Sequence, residues 1–413
     1  MPIVQSLLVR IAPSLRFLFV FYSSKQEARS ALERFLPRAG LDYARARNFD
    51  YGLGRRENVS MLSPWVRLRM LPEWELIAAV LQHHSVSEAA KFIDEVCWRT
   101  YWKGWLSRRP TVWQDYCAEL AAEQASLPGQ SRYHALVSAA SGIDCMDGWT
   151  RELIDTGYLH NHARMWYASI WIHTLKLPWT LGADFFFRHL LDGDPASNTL
   201  SWRWVAGLHT EGKTYLATAD NIRQYSDGGL NPQIQFATDP ADVSRSARNP
   251  LAAPHRILAP LPDADRVGLL LNEEDLSARN WLGGQAKVSA IAGFIPQQSY
   301  QTQRIAQPVF DFRYNCMRDA LDGSGAVYTQ LDAVVAWAEQ ANIDVLLMAE
   351  PSIGIWNQVL PELQHALRNK EIQLVCQRPW WDDHFYPHAQ AGFFRFKKAI
   401  PAAIQQLNRA SHL

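Results

Sequence analysis

The 413-residue sequence has few of the features that mark the commoner small-site chemistries. Its five cysteines, Cys97, Cys117, Cys145, Cys316 and Cys376, are scattered without a CxxC pair. That argues against a zinc site, an iron–sulfur cluster or a disulfide framework. No metal ligand set is expected, and a reducing, cytoplasmic setting fits best. Net charge is also missing. Lys+Arg and Asp+Glu are both 41, so no chain-wide basic field draws the protein to nucleic acid, and any such site has to be a local patch. The apolar tract from Phe17 to Tyr22 is too short for a bilayer, and no small-residue cleavage site follows it. No membrane partner is expected, and residues 1–24 read as a leader, either a strand or a loosely ordered segment. Neither GxGxxG nor a P-loop motif occurs, so no phosphate-binding fingerprint is present.

Aromatics are abundant. There are 17 tryptophans, most of them before residue 205, and composition alone assigns them to a large core. The length calls for two domains, since single cores stop growing near about 250–300 residues. Residues 25–240 read as a helical domain. Lys25 to Phe35 sets Ala28, Ala31, Leu32 and Phe35 on one side, Pro72 opens a helix running to Leu81, and Ser87 to Leu106 keeps the same period. Trp149 to Leu177 is too apolar all round for a surface position. Residues 241–264 lie in a Gly-, Pro- and Asn-rich stretch that reads as a linker. From 265 to 413 the rhythm changes. Short apolar runs at Val267–Leu271, Ala290–Ile295, Asp344–Met348 and Glu371–Val375 alternate with helical spacing at Leu331–Gln340 and Ile355–Arg368. This predicts a three-layer, Rossmann-like α/β domain with a parallel sheet.

The chemistry is concentrated between Thr156 and Trp204. Asn161, Arg164 and Met165 share one helical face at i, i+3 and i+4. Asp192, Asp194 and Asn198 come from an Asp-Gly-Asp-Pro turn that leads into a helix start. A helix-borne arginine facing paired acids inside an apolar domain suggests a polar-lined ligand cavity. Spacing alone leaves a structural ion pair plus a helix cap as an equal alternative.

The strings GYLHNHARM, DGDPASN and WRW, in that order, resemble the FAD-binding core of photolyases and cryptochromes. Ser60-Met-Leu-Ser-Pro-Trp is similar to that family's TSxLSPYL segment, Glu95-Val-Cys-Trp-Arg to its ELxWRExY segment, and YARARNFD around Tyr43 to the tract just before them. The resemblance implies FAD held in a mainly α domain of photolyase type. Tyr43, Ser60, Leu62 and Ser63 would line the phosphates and ribityl chain, and Arg99 would lie near the flavin. Asn161 and Arg164 would flank the isoalloxazine, with Arg164 paired to Asp192. Asp194 would accept from the ring edge and Asn198 would face N5, where a neutral amide suits a protonated nitrogen.

The same resemblance assigns Glu95, Trp98, Asn161, Met165 and Trp204, with Asn198, to a pocket for a flipped cyclobutane pyrimidine dimer. Trp faces stack on extruded bases, Glu bonds their polar edges and Met packs softly. Asn161 and Met165 stand where photolyases for the (6-4) lesion carry histidines. Trp202 and Trp179 match the first two members of the family's electron-transfer chain. A third tryptophan is missing at its expected spacing, with Trp171, Trp166 and Tyr133 as substitutes.

Three departures weigh against repair. Val59 replaces a threonine, Ala217 stands where the family has an arginine, and the helix after it is cut short at Ile222-Arg-Gln-Tyr-Ser. DNA contact would then fall to Arg55, Arg56, Arg67, Arg69, Lys103, Arg108, Arg109 and Arg203. The family places its α/β antenna domain first, whereas here an α/β segment follows, either permuted or unrelated, and a second antenna chromophore stays unassigned. The expected partner is UV-damaged DNA, single- or double-stranded. For the alternative, a cryptochrome-like photoreceptor, it is a signalling protein.

Overall fold

The computed structural model describes residues 21–210, 213–243, 246 and 248–410; most of the apolar tract read as a leader lies outside them. Helix α1 (Lys25–Phe35) starts where the Ser24 hydroxyl accepts from the Glu27 N–H, and it buries Ala28, Leu32 and Phe35. Helices α2 (Leu41–Ala46), α3 (Ser63–Arg67), α4 (Glu73–Leu81) and α5 (Ala90–Ser107) follow. Pro72 precedes α4 in extended conformation, as a residue without an N–H can at no loss. Next come α6 (Thr111–Ala125), α7 (Ser131–Val137) and α8 (Asp144–Thr156). The apolar stretch to Leu177 is divided rather than continuous. Gly157, at φ +67°, ends α8, and a Cβ there would meet the Leu191 side chain at 2.5 Å. Helix α9 (Asn161–Ser169) then passes into a π-type turn over Ile170–Thr174. Helices α10 (Trp179–His189), α11 (Pro195–Val205) and α12 (Ala219–Tyr225) complete the helical part. Trp166 and Trp171 are fully buried within it.

Residues 226–266 carry no helix or strand among those described. Strand β1 (Val267–Asn272) opens the second domain, followed by α13 (Ala278–Trp281), β2 (Val288–Phe294), α14 (Gln297–Thr302) and α15 (Gln307–Leu321). The chain continues through β3 (Val327–Tyr328), α16 (Leu331–Gln340), β4 (Val345–Ala349), α17 (Trp356–Arg368) and β5 (Gln373–Gln377). The sheet is parallel in the order β3-β2-β1-β4-β5. Strand periodicity divides its core. Leu270 packs with Leu346, Val334 and Leu363 on the α16–α17 face, while Leu269 and Leu271 pack with Leu347, Leu282 and Leu321 on the α13–α15 face. The α/β architecture is therefore as expected, with β3, only two residues long, and the helices α13, α14 and α15 added to the predicted elements.

Order reverses between β1 and β4, and in open α/β sheets ligands lodge outside the carboxyl ends at such a point. In this protein the helical domain packs there. The Leu276 N–H donates to the Leu68 carbonyl at 2.8 Å, and Gly354 lies so close to Pro195 that a Cβ would stand 2.3 Å from its ring. Arg69 anchors the contact. Its guanidinium bonds Glu73 at 3.0 Å, Asp275 at 3.0 Å and Asp382 at 2.6 Å, with all four side chains buried. The last helices, α18 (Trp380–Phe385), α19 (Phe393–Phe396) and α20 (Ile400–Ala410), return to the helical domain, with α18 and α19 against α5 and α20 against α4.

These contacts overturn the expected DNA-facing arginine patch. Arg56 is buried with Asp50 and Glu152, and Arg67 with Glu274. Lys103 lies 3.6 Å from Glu274. Arg108 donates to the carbonyls of Ala253 and Pro387, Arg109 to those of Pro250 and Gln390, and Arg203 to Asn249. Arg55 alone of the eight is exposed. The linker and the C-terminal segment cover basic side chains that a helical domain by itself would present to solvent.

Replacing Arg69 by Leu strands three buried carboxylates. Breaking a buried ion pair costs about 3–5 kcal/mol, so urea unfolding of Arg69→Leu is expected to show a loss of that order. A loss under about 1 kcal/mol is the contrary result.

Candidate functional site

The turn between α10 and α11 is built around two aspartates. Asp194 caps α11, its Oδ1 accepting from the N–H groups of Ala196 (2.8 Å) and Ser197 (3.3 Å). Its Oδ2 accepts from the Ser197 hydroxyl at 2.8 Å and from Arg99 of α5 at 3.0 Å. Both oxygens of Asp194 are thus engaged by protein groups. Burial pushes this carboxyl up, but Arg99, Arg67 and Lys103 together hold it below the usual carboxylate range. Asp192 takes a bidentate pair from Arg164 on α9, at 3.0 and 2.9 Å, and the Ser63 hydroxyl also reaches it. Burial again raises its pKa, and Arg164 together with Arg99 and the Ser63 hydroxyl more than reverses the effect. Arg164 Nε bonds the Leu159 carbonyl at 2.9 Å, which fixes the fork while leaving the side chain 24% exposed. The Asn198 amide group donates to the Ala183 carbonyl at 2.8 Å, so its oxygen is the end left to accept.

Tyr43 is buried edge-on between Phe35 and Phe92, and burial lifts its phenol far above the ordinary value. Ser60 Oγ accepts from the Leu62 N–H at 3.4 Å. Between them Met61 is held at φ +51°, a left-handed conformation uncommon outside glycine. Leu62 is buried, Ser60 and Ser63 half-buried. A cavity of about 590 Å³ is lined by Tyr43, Arg38, Arg45, Tyr51, Arg55 and Asn58 among others, and Tyr43 is the only expected cofactor residue in its wall.

Glu95 is bonded by Arg47 at 2.5 Å, four residues after Tyr43, and the Arg47 carbonyl meets His160 Nε2 at 3.1 Å. This chain ties α5 to the start of α9, where Asn161 is exposed and lies 3.8 Å from the Met165 sulfur. Burial raises the Glu95 carboxyl despite Arg47, and burial lowers His160 to about 4. Glu95, Trp98, Met165 and Trp204 all keep partial exposure. One face of Trp98 is taken by Phe393 of α19, stacked at 3.9 Å and 9°. Trp204 stacks with Tyr215 at 5.9 Å. Trp202 meets Trp171 edge-on at 6.3 Å, with both rings against Gly182, and Trp171 meets Tyr133 at 5.9 Å. Trp179 packs instead with Tyr116 at 5.6 Å, and its indole N–H donates to Ser246.

Sequence reasoning passed over Arg47, Phe393 and the acidic residues Glu273 and Glu274. Arg47 carried a signal, lying one helical turn from Tyr43 in the same tract. Phe393 carried none, because nothing local to residues 390–396 points to α5.

Residues 92–236 match the family described as the FAD binding domain of DNA photolyase. The deoxyribodipyrimidine photo-lyase of Streptomyces griseus is 31% identical over 40% of this chain and 38% of its own length. That of Thermus thermophilus is 31% identical over 48% and 44%, and that of Vibrio cholerae 26% identical over 48% and 43%. The chain spans less than half the length of these curated relatives. Among solved structures, a class III photolyase from Agrobacterium tumefaciens shares 24% identity at TM-score 0.40, over 49% of this chain and 44% of that one. A cryptochrome from Synechocystis shares 23% identity at TM-score 0.42, over 52% of this chain and 47% of that one. The likeness to photolyases thus lies in the helical domain, where residues 92–236 match the FAD binding domain of DNA photolyase.

The side chains present fit a flavin. A partly exposed guanidinium edge and half-buried hydroxyls accompany the buried carboxamide of Asn198 inside an otherwise apolar domain. The carboxyl of Asp192 is depressed from the ordinary 3.8. Its stabilising effect is therefore complete above that value and lost as pH falls through the lower folded-state value. Thermal unfolding followed downward from pH 6 is expected to show this loss, and Asp192→Asn to remove part of the slope while costing about 1–3 kcal/mol at neutral pH. An identical acid profile in the variant contradicts the assignment.

Proposed function

We propose that this protein is an FAD-dependent photolyase-like lyase that splits cyclobutane pyrimidine dimers in DNA under blue or near-UV light. The reading is supported by the retained exposure of Glu95, Trp98, Asn161, Met165 and Trp204 on α5, α9 and α11, by the Arg164–Asp192 pair, and above all by the match of residues 92–236 to the FAD binding domain of DNA photolyase. Reduced FAD, when bound and excited, would supply the electron that opens the cyclobutane ring. Asn198 would present its carboxamide oxygen to the flavin, and Arg164, held by Asp192, would lie along the ring. Arg47 orients Glu95 to bond the edge of a flipped base, and Trp204 and the free part of Trp98 offer stacking surface. Trp202, Trp171 and Tyr133 form a continuous ring-to-ring route, which favours Trp171 over Trp179 as the partner of Trp202.

The α/β domain reads best as an antenna-type domain in permuted order. It contacts the helical domain where the Lys25 N–H bonds Asp319 of α15 at 2.8 Å and where α20 packs on α4. The second reading is a cryptochrome-like photoreceptor with a signalling protein as partner. The stack of Phe393 on Trp98 and the burial of seven expected DNA-contacting cations favour it.

Illumination of the FAD-reduced protein with a UV-damaged oligonucleotide is expected to restore the absorbance lost on dimer formation, on single or double strands, with no change in the dark. No restoration, with flavin photoreduction intact, selects the photoreceptor. In either case Trp171→Phe is expected to slow photoreduction about tenfold, a barrier change of about 1.4 kcal/mol, and Trp179→Phe to have the smaller effect. The reverse order, seen by transient absorption, rejects the Trp202–Trp171 route.

A further inference from the structure

Between the two aspartates lies Gly193, and its carbonyl oxygen accepts from two buried arginines. Arg67 Nε reaches it at 3.1 Å from α3, and Arg313 Nη2 at 2.7 Å from α15 of the α/β domain. The residue has to be glycine, because a Cβ would stand 2.9 Å from the Leu190 and Phe187 carbonyl oxygens. Both arginines are in turn held by the turn after β1. Arg67 bonds Glu274 at 2.5 Å, and its Nη1 reaches the Glu273 carbonyl. Arg313 donates to the Tyr300 hydroxyl at 3.1 Å, and that hydroxyl donates to Glu273, which Trp356 also bonds.

We propose that Arg313 is a positioning residue for the cofactor loop, so that the α/β domain sets how the helical domain holds its flavin. The inference rests on the flavin reading above. A carbonyl gripped by two guanidiniums cannot rotate, and its peptide carries the N–H of Asp194 at the opposite end. Among the described residues that N–H has no backbone acceptor. The two cations polarise the peptide so that this N–H becomes a stronger donor on the side of the loop away from the arginines. They also fix Asp192 and Asp194 on either side of one immobile plane. Folding of the helical domain alone could satisfy Asp194 through its cap. The orientation of the Gly193–Asp194 peptide, however, is decided by a residue 120 positions later in the chain.

The test uses the full chain loaded with FAD. Arg313→Met is expected to raise the dissociation constant for FAD about tenfold, to displace the flavin absorption band, and to move the flavin midpoint potential downward as a nearby positive charge is lost. Arg313→Lys, which keeps the charge with a single donor head, is expected to recover the potential more fully than the affinity. Tyr300→Phe, which removes only the hydroxyl steadying Arg313, is expected to shift the same readouts in the same direction by a smaller factor, and it decides the matter should Arg313→Met fail to fold. If the unaltered chain takes up no FAD, the flavin reading falls and this inference with it. If the unaltered chain binds FAD and the folded variants match it in affinity, band position and potential, the positioning role alone is overturned.

Discussion

A guanidinium leaves water at a cost of several kcal/mol unless carboxylates go in with it, and this protein places several such groups where its two domains meet. Arg69 gathers Glu73, Asp275 and Asp382, while Arg67 and Lys103 share Glu274. None of these sets can be completed by the helical domain alone, since Glu274, Asp275 and Asp382 all belong to the second domain. Apolar contact would let the two surfaces slide, whereas directed bonds to fixed carboxylates permit one docking geometry. The same contact reaches the turn between α10 and α11, because the next acceptor for Arg67 is the Gly193 carbonyl.

That use of arginine bears on any encounter with nucleic acid. A neutral chain has no surplus of cations, and here many of them are committed inside. Phosphate contacts supply most of the non-specific affinity for DNA. Lesion recognition would therefore depend more on the pocket, on Glu95 held by Arg47 and on the aromatic faces beside it, than on a broad basic surface. Phe393 complicates that pocket by stacking on Trp98. The segment carrying it is well tied to α5: Tyr101 donates to the Ala391 carbonyl and Arg109 to that of Gln390. The C-terminal segment is therefore part of the surroundings of Trp98.

The α/β domain is organised as a doubly wound sheet whose usual ligand crevice is turned against a protein partner within the same chain. Asn272, at the end of β1, bonds the Ala349 carbonyl at the end of β4 and so closes the crevice floor. From that floor Glu274 meets Arg67 and Lys103 of the helical domain, while the Glu273 carboxylate is held by Tyr300 and Trp356 within the α/β domain. The acidic turn takes the place that a phosphate-binding loop occupies in other folds of this topology, with the charge relation inverted: carboxylates presented to arginines instead of amides to an anion.

Local pattern in the sequence was enough to determine the helical and α/β halves, most element positions and a helix start after the Asp-Gly-Asp-Pro turn, whereas the Arg164–Asp192 pairing came from the family resemblance. Periodicity, capping residues and short spacings all act within a few residues and leave their mark in linear order. It was also enough to place the chain near the photolyases, because the motif residues retain their order and spacing. Tertiary structure alone decided what covers what. Arginines that look solvent-bound in the helical sequence are buried because acids more than 200 residues away close over them. Trp98 loses one face to Phe393, and Gly193 gains a second guanidinium from Arg313, for the same reason. Burial depends on where distant segments pack, and a sequence records spacing along the chain but not distance across it.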